Sequence, residues 1–254
     1  MSEAASDTKH EARHEARHET RHETGREPLP EIGRLPFPPV MVAVAGASGS
    51  GKTTLAAELA RTLGGLHFSL DNYYRDLSHL PLGQRALENF DDPAMIELPL
   101  LARHLAELAQ GRAIERPVYS FSEYIRVPGE TETVRPGPVV VVEGLFTLYF
   151  PELRPLYQLS VYVDTSDDIC FARRVRRDVE ERGRAPESVR RQYDATVRPC
   201  GLAFVRPLAD FADLIVDGTD PLDFKVELVV NTLRKRGLLL NLGTSAADMP
   251  SRAE

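Results

Sequence analysis

The stretch Val40-Met-Val-Ala-Val-Ala-Gly-Ala-Ser-Gly-Ser-Gly-Lys-Thr-Thr54 decides how the rest of the chain is read. Its first six residues are a short, valine-rich apolar run, the composition of a strand buried on both faces. Gly46, Ala47, Ser48, Gly49, Ser50, Gly51, Lys52, Thr53 and Thr54 follow, and fit the spacing G-x-x-x-x-G-K-[ST] in full. Glycines let the backbone close around an oxyanion, and the amides at the start of a following helix point at it. Leu55, Ala56, Leu59 and Ala60 supply the apolar face of that helix. In this setting Lys52 would bridge the β- and γ-phosphates of ATP, and the Thr53 hydroxyl would ligate Mg²⁺. A Gly-Ser turn that merely contains Lys and Thr is the alternative, and it leaves the flanking strand and helix unexplained.

Outward from the loop, strand-like runs recur at 66–70, 139–142, 159–163 and 214–216, with helical patterns between them. One such pattern puts Leu98, Leu101, Leu105 and Leu108 on a single face. Strands alternating with helices predict an α/β three-layer P-loop NTPase fold with a mainly parallel sheet. Residues 114–134, rich in Pro, Tyr and β-branched side chains, break the rhythm and predict a small β excursion over the substrate. The expected organisation is a tail at 1–36, one domain at 37–236 and a flexible tail at 237–254. The first tail repeats Glu-Ala-Arg-His-like units and has almost nothing to bury, so disorder or a transient solvated helix is expected. His10, His14, His18 and His22 would stack near one helical face, leaving weak metal binding beside the plainer reading of a polar tail.

Net charge is −7 over 254 residues, which argues against bulk nucleic-acid binding. Cys170 and Cys200 lack the close spacing of a metal knuckle or a redox pair and read as reduced thiols. No apolar run approaches the ~18 residues of a membrane span, and no secretory signal is evident. The expectation is a cytoplasmic protein with neither nucleic acid nor membrane as a partner.

Two carboxylates follow apolar runs. Glu143 ends the 139–142 run, where it would hold Mg²⁺ through its water shell, since ligands of open α/β sheets bind beyond the carboxyl ends of the strands. A surface Glu in a turn is the alternative. Asp71 ends the 66–70 run on the same expected edge. Two readings stand for it: a base accepting the proton of a hydroxyl that attacks the γ-phosphate, or a cap on the following turn. Farther on, eight arginines stand against four acids from Arg173 to Arg191. Arg174 and Arg177 share a helix face, and Gly183 is a natural helix stop. Within a phosphate-binding protein, an Arg-rich lid closing over ATP is favoured. A solvated helix held by pairs such as Asp178 with Arg182, or a short nucleic-acid contact, are the alternatives.

These pieces occur in a recognisable order. The glycine loop, Leu70-Asp-Asn-Tyr-Tyr-Arg75, Asn89-Phe-Asp-Asp-Pro93, Pro117-Val-Tyr119, Val142-Glu-Gly144, the arginine stretch and Gln192-Tyr193 resemble the uridine-cytidine kinases, within the uridine kinase and phosphoribulokinase group. The resemblance implies that Asp71 is the base for a ribose 5′-hydroxyl. It implies that Asp91 receives the ribose 2′- and 3′-hydroxyls, and that Tyr74 and Tyr119 wall the nucleoside pocket. It matches Arg174 and Gln192 to nucleoside-side contacts, and Arg177, Arg182 and Arg184 to the lid. Asp220 matches a position near the adenine of ATP. Two positions depart from the group. Ser120 stands where an Asp usually follows the Pro-Val-Tyr triplet, and Tyr124 stands where most members carry a His against the pyrimidine edge. The implied activity is Mg²⁺-dependent transfer from ATP to the 5′-hydroxyl of a pyrimidine ribonucleoside. A kinase of the same group acting on a sugar phosphate, or a nucleotide-binding regulator without transfer chemistry, are the rivals. Relatives are commonly homotetramers, which makes a homo-oligomer the implied assembly.

Overall fold

The computed structural model describes residues 37–239. The expected tail at 1–36, with its four histidines, and residues 240–254 lie outside the described residues. The strand β1 (Val40–Gly46) runs through the glycine loop into α1 (Lys52–Thr62), and β2 (Leu66–Ser69) follows. A short helix, α2 (Leu82–Arg85), precedes α3 (Leu98–Ala109). The excursion is an antiparallel hairpin of β3 (Ile114–Ser120) and β4 (Ile125–Val134). The chain re-enters the sheet as β5 (Val139–Glu143) and β6 (Leu159–Asp164). The arginine-rich stretch forms α4 (Asp167–Glu180) and α5 (Pro186–Gln192). Two π-turns, Tyr193–Val197 and Gly201–Val205, flank α6 (Arg198–Cys200) before β7 (Leu214–Asp217) and α7 (Leu222–Lys235).

The main sheet is five-stranded and parallel in the order β2-β5-β1-β6-β7. Its valine runs are buried on both faces, because side chains of successive residues point to opposite sides. Met41, Ala43, Val140 and Val142 face a core shared with Leu101, Leu105 and Leu108 of α3. Val42, Val44, Val139 and Val141 face the other, with Leu55 and Leu59 of α1 and Val229 and Leu233 of α7. Each such Val or Leu contributes about 1.5–3 kcal/mol of gross burial. Three layers result, as the alternation of strand and helix predicts.

One boundary differs from expectation. The domain does not stop at 236: Gly237 turns the chain at φ 71, the Leu238 amide donates to the Leu233 carbonyl, and Leu238 and Leu239 pack on the second core. Two leucines after a helix-ending glycine give the chain something to bury, and this extends the ordered body.

Candidate active site

Strand register brings the sequence-predicted phosphate and metal residues to one edge. Val44 and Ser69 both lie opposite Glu143, so the carboxyl ends of β1, β2 and β5 are level. The glycine loop leaves the first of these strands and Asp71 the second. Glu143 is 2% exposed, so it is no surface turn residue. The Thr53 hydroxyl donates to Glu143 Oε2 at 2.9 Å, which joins the two groups expected to hold Mg²⁺. A hydroxyl and a carboxylate in contact are hard oxygen donors of the kind that cation takes.

The loop is built to approach its ligand closely. Gly49 sits at φ 86, and a Cβ there would collide with the Cys170 carbonyl. Carbonyls of the loop are tied on its outer side: Thr165 Oγ1 donates to Ser50 O at 3.1 Å, and Arg173 Nη1 to Ser50 O at 3.2 Å and Gly49 O at 3.4 Å. The same guanidinium reaches Gly218 O at 3.3 Å, which also accepts from Lys225 Nζ at 3.1 Å. Arg173 therefore links the phosphate loop to the loop carrying Asp220. Ser50 Oγ is buried with no hydrogen-bond partner among the described residues, a donor left over inside the cradle.

Asp71 lies in a 3₁₀ turn, Leu70–Tyr73, that is capped by Ser69, whose Oγ accepts the Asp71 amide at 3.3 Å. The cap of this turn is thus the residue two positions earlier. Burial, and next the charge of Glu143, push the Asp71 carboxyl up to about 6, against the pull of Lys52, Arg182 and Arg177. The charges of Glu143, Lys52, Arg182 and Arg177 are thus all felt at this carboxylate.

Asp91 is 8% exposed, and burial raises its carboxyl against the pull of Arg174 and Lys52. Its amide is held by Asn89 Oδ1 at 3.2 Å. Close by is an aromatic wall. Phe90 meets Tyr74 edge-on at 5.2 Å and stacks on Tyr124 at 5.3 Å, and Tyr119 lies 5.9 Å from Tyr74. The sequence reading missed Phe90, although its place inside the Asn-Phe-Asp-Asp-Pro run was a usable signal. Tyr124 takes φ 55 in the hairpin turn, the left-handed region that a large side chain seldom occupies. Ser120 Oγ lies 3.3 Å from Ser122 Oγ, not on Tyr124. A cavity of about 310 Å³ also opens beside Asp91, with Ala47, Ser48, Leu145, Tyr193 and Val205 among its walls.

The arginines form a cluster centred on a residue that sequence reading treated only as a pair partner. Asp178 is fully buried and accepts from Arg177 Nη2 at 2.9 Å and Arg184 Nη1 at 3.0 Å, with Arg182 at 3.5 Å and Arg174 at 3.8 Å. Burial alone would raise this carboxyl, but the Arg177 hydrogen bond and the neighbouring charges outweigh it and hold it below its ordinary value. Arg174, itself buried, also reaches Asp91 at 3.9 Å and donates to Ser48 Oγ at 2.9 Å. Gln192 Oε1 accepts from Arg174 at 3.3 Å and from Arg184 at 2.8 Å. Arg184, matched to the lid by the resemblance, thus shares the Gln192 acceptor with Arg174. Asp220 stands apart, in the turn after β7, with its amide on Asp217 O at 3.2 Å.

Residues 41–223 match the sequence model of the phosphoribulokinase/uridine kinase family. The chain belongs to that family. The uridine kinase of Chloroflexus aurantiacus is 44% identical over 195 residues, covering 76% of this chain and 93% of that protein. The uridine kinase of Deinococcus deserti is 47% identical over 181 residues, covering 70% and 87%. Among solved structures, a putative fructose transport system kinase from Silicibacter sp. TM1040 superposes with a TM-score of 0.56 at 24% identity, covering 73% of this chain and 92% of that one, a likeness of fold. Membership in the phosphoribulokinase/uridine kinase family makes this chain an ATP-dependent phosphotransferase, with the P-loop as its phosphate site. No helix among the described residues is long and apolar enough to cross a membrane.

Proposed function

We propose that the chain is a uridine/cytidine kinase, transferring the γ-phosphate of ATP to the 5′-hydroxyl of a pyrimidine ribonucleoside in pyrimidine salvage. The observation that carries this is Asp91: a buried carboxylate with two acceptor oxygens, set between Arg174 and an aromatic wall. Such a group suits a neutral vicinal diol and would repel an acceptor that carries its own phosphate. The relatives named uridine kinase support the same reading.

The residues divide the work as follows. Asp91 fixes the ribose diol, and Tyr74, Phe90, Tyr119 and Tyr124 enclose the base. Asp71 accepts the 5′-hydroxyl proton as that oxygen attacks; with its carboxyl near 6 it is ionised at neutral pH yet basic enough to take the proton. Lys52, Arg177 and Arg182 offset the charge that develops on the transferred phosphoryl. Thr53 and Glu143 would hold Mg²⁺, which when bound neutralises phosphate charge. Asp220, in the turn after β7, would face the base of ATP.

A transfer assay tests the reading: ATP and Mg²⁺ with uridine, cytidine, purine nucleosides, deoxynucleosides and ribulose phosphate as acceptors. Phosphorylation of cytidine or uridine well above all others is expected. Preference for the sugar phosphate, or for deoxynucleosides that lack half of the diol, would refute it.

A further inference from the structure

Arg174 reaches both halves of the site. It lies 3.9 Å from Asp91, on the acceptor side, and 3.8 Å from Asp178, on the lid side. Asp178 has four guanidiniums competing for two oxygens: Arg174 is buried, Arg184 and Arg177 are part-exposed to nearly the same degree, and Arg182 is turned outward. The side chain of Arg174 is 9% exposed and that of Arg184 is 29%, against 34% for Arg177 and 53% for Arg182. Gln192 ties Arg174 and Arg184 into an inner pair and leaves Arg177, held on Asp178 Oδ1 through both Nε and Nη2, with Arg182 as the outer pair.

We propose that Asp178 is a positioning residue that couples acceptor binding to ATP binding, by holding or releasing the outer lid arginines according to where Arg174 is engaged. The proposal rests on the kinase reading above. A buried carboxylate must keep cationic partners, since leaving it uncompensated is strongly unfavourable. With the acceptor site open, Arg174 is divided between Asp91 and Asp178, and Asp178 retains Arg177 and Arg182 to make up the difference. When a diol donates two hydrogen bonds to Asp91, the demand of Asp91 on Arg174 falls. Arg174 and Arg184, aligned by Gln192, then suffice to neutralise Asp178. Arg177 and Arg182 are freed to move onto the phosphates beside Lys52. The acceptor thereby binds better to the lid-closed state, which is the differential affinity any population shift requires. By linkage ATP must tighten the acceptor by the same factor.

The test uses the full chain and calorimetric titration of the non-hydrolysable β,γ-imido analogue of ATP with Mg²⁺, alone and with saturating cytidine or uridine. In the wild type the nucleoside should tighten the analogue by about fivefold or more. In Asp178→Asn that ratio should collapse towards one while both ligands still bind, and Asp178→Glu, which keeps the charge, should retain most of it. A merely structural Asp178 would weaken each ligand equally with and without the other, leaving the ratio intact. Should Asp178→Asn fail to fold, Arg182→Gln decides: its side chain is outward, and losing one of the two released arms should reduce the ratio. A ratio of one in the wild type, or one unchanged in either variant, overturns the proposal. A nucleoside that does not bind at all refutes the kinase reading itself, a result distinct from binding without coupling.

Discussion

Replacing Asp71 with Asn should make the enzyme far slower and, at neutral pH, more stable. The carboxyl sits near 6 where an ordinary Asp is 3.8, with burial as the first cause and Glu143 as the second. A group whose folded value is raised contributes stability below its unfolded value and loses it as pH rises through the folded one. Below about pH 3.8, then, the proton costs nothing, whereas above about pH 6 the folded state carries a carboxylate it does not favour. The gap from 3.8 to about 6, at roughly 1.36 kcal/mol per pH unit, is about 3 kcal/mol. Asp71 is only half-buried, and solvent screening reduces this to about 1–2 kcal/mol. Asp71→Asn should therefore gain about 1–2 kcal/mol over wild type at pH 7.5 and almost nothing at pH 4, a difference of about 2–8 °C in Tm for a domain of this size. Urea denaturation of both proteins at the two pH values, without nucleotide or Mg²⁺, measures it. Turnover should fall by roughly 10²–10⁴-fold while ATP affinity changes far less, because Lys52 and the loop amides are untouched. Equal stability at both pH values would show that Asp71 is not held against its preference. Near-normal kcat in the folded variant would remove it as the base.

Three further outcomes are expected. Tyr124 stacks on Phe90 and offers a phenol where the family resemblance implies an imidazole; with its proton engaged by another group its oxygen is an acceptor, and cytidine should then be favoured over uridine by about one to two decades in kcat/KM; Tyr124→His should narrow the gap, and a ratio indifferent to the change would leave selection to other residues. Gly49→Ala places a Cβ against the Cys170 carbonyl at a left-handed φ, so ATP affinity should fall by roughly tenfold or more in equilibrium titration, with nucleoside affinity in the absence of ATP little changed. Removal of residues 1–35, which carry none of the site residues, should leave kcat and thermal stability at their full-length values in the same assays.

The parts of this site that were legible in the sequence are those set by strand ends. A buried valine run can be read from composition, and the polar residue that ends it emerges at the edge of a parallel sheet; the edge positions of Glu143 and Asp71 followed from that, Lys52 and Thr53 came from the glycine motif, and the choice between base and turn cap for Asp71 came only with the family resemblance. Tyr124 was visible as a departure from the family but not as a residue at φ 55, because nothing in a Ser-Glu-Tyr-Ile sequence requires the left-handed region. The π-turns on either side of α6 were likewise invisible, since they depend on how the widened helix packs against the cavity beside Asp91.

Asp178 shows a different kind of limit. Helical spacing already placed it one turn from both Arg174 and Arg182, so two of its four contacts were readable. The other two were not. Arg184 returns only because Gly183 adopts φ 62 and the Arg184 amide reaches back to the Asp178 carbonyl at 3.0 Å, and Arg177 turns its guanidinium onto its own chain neighbour. From sequence, an ion-paired helix and a phosphate lid stood as rival accounts of the same arginines. In the folded chain the ion pairs exist, and they hold the very groups a lid would use. A cation parked on a buried carboxylate is already ordered, so moving it to a phosphate costs less conformational entropy than recruiting a free side chain from solvent. Under the coupling proposed for Asp178, the two readings describe one device before and after its ligand arrives.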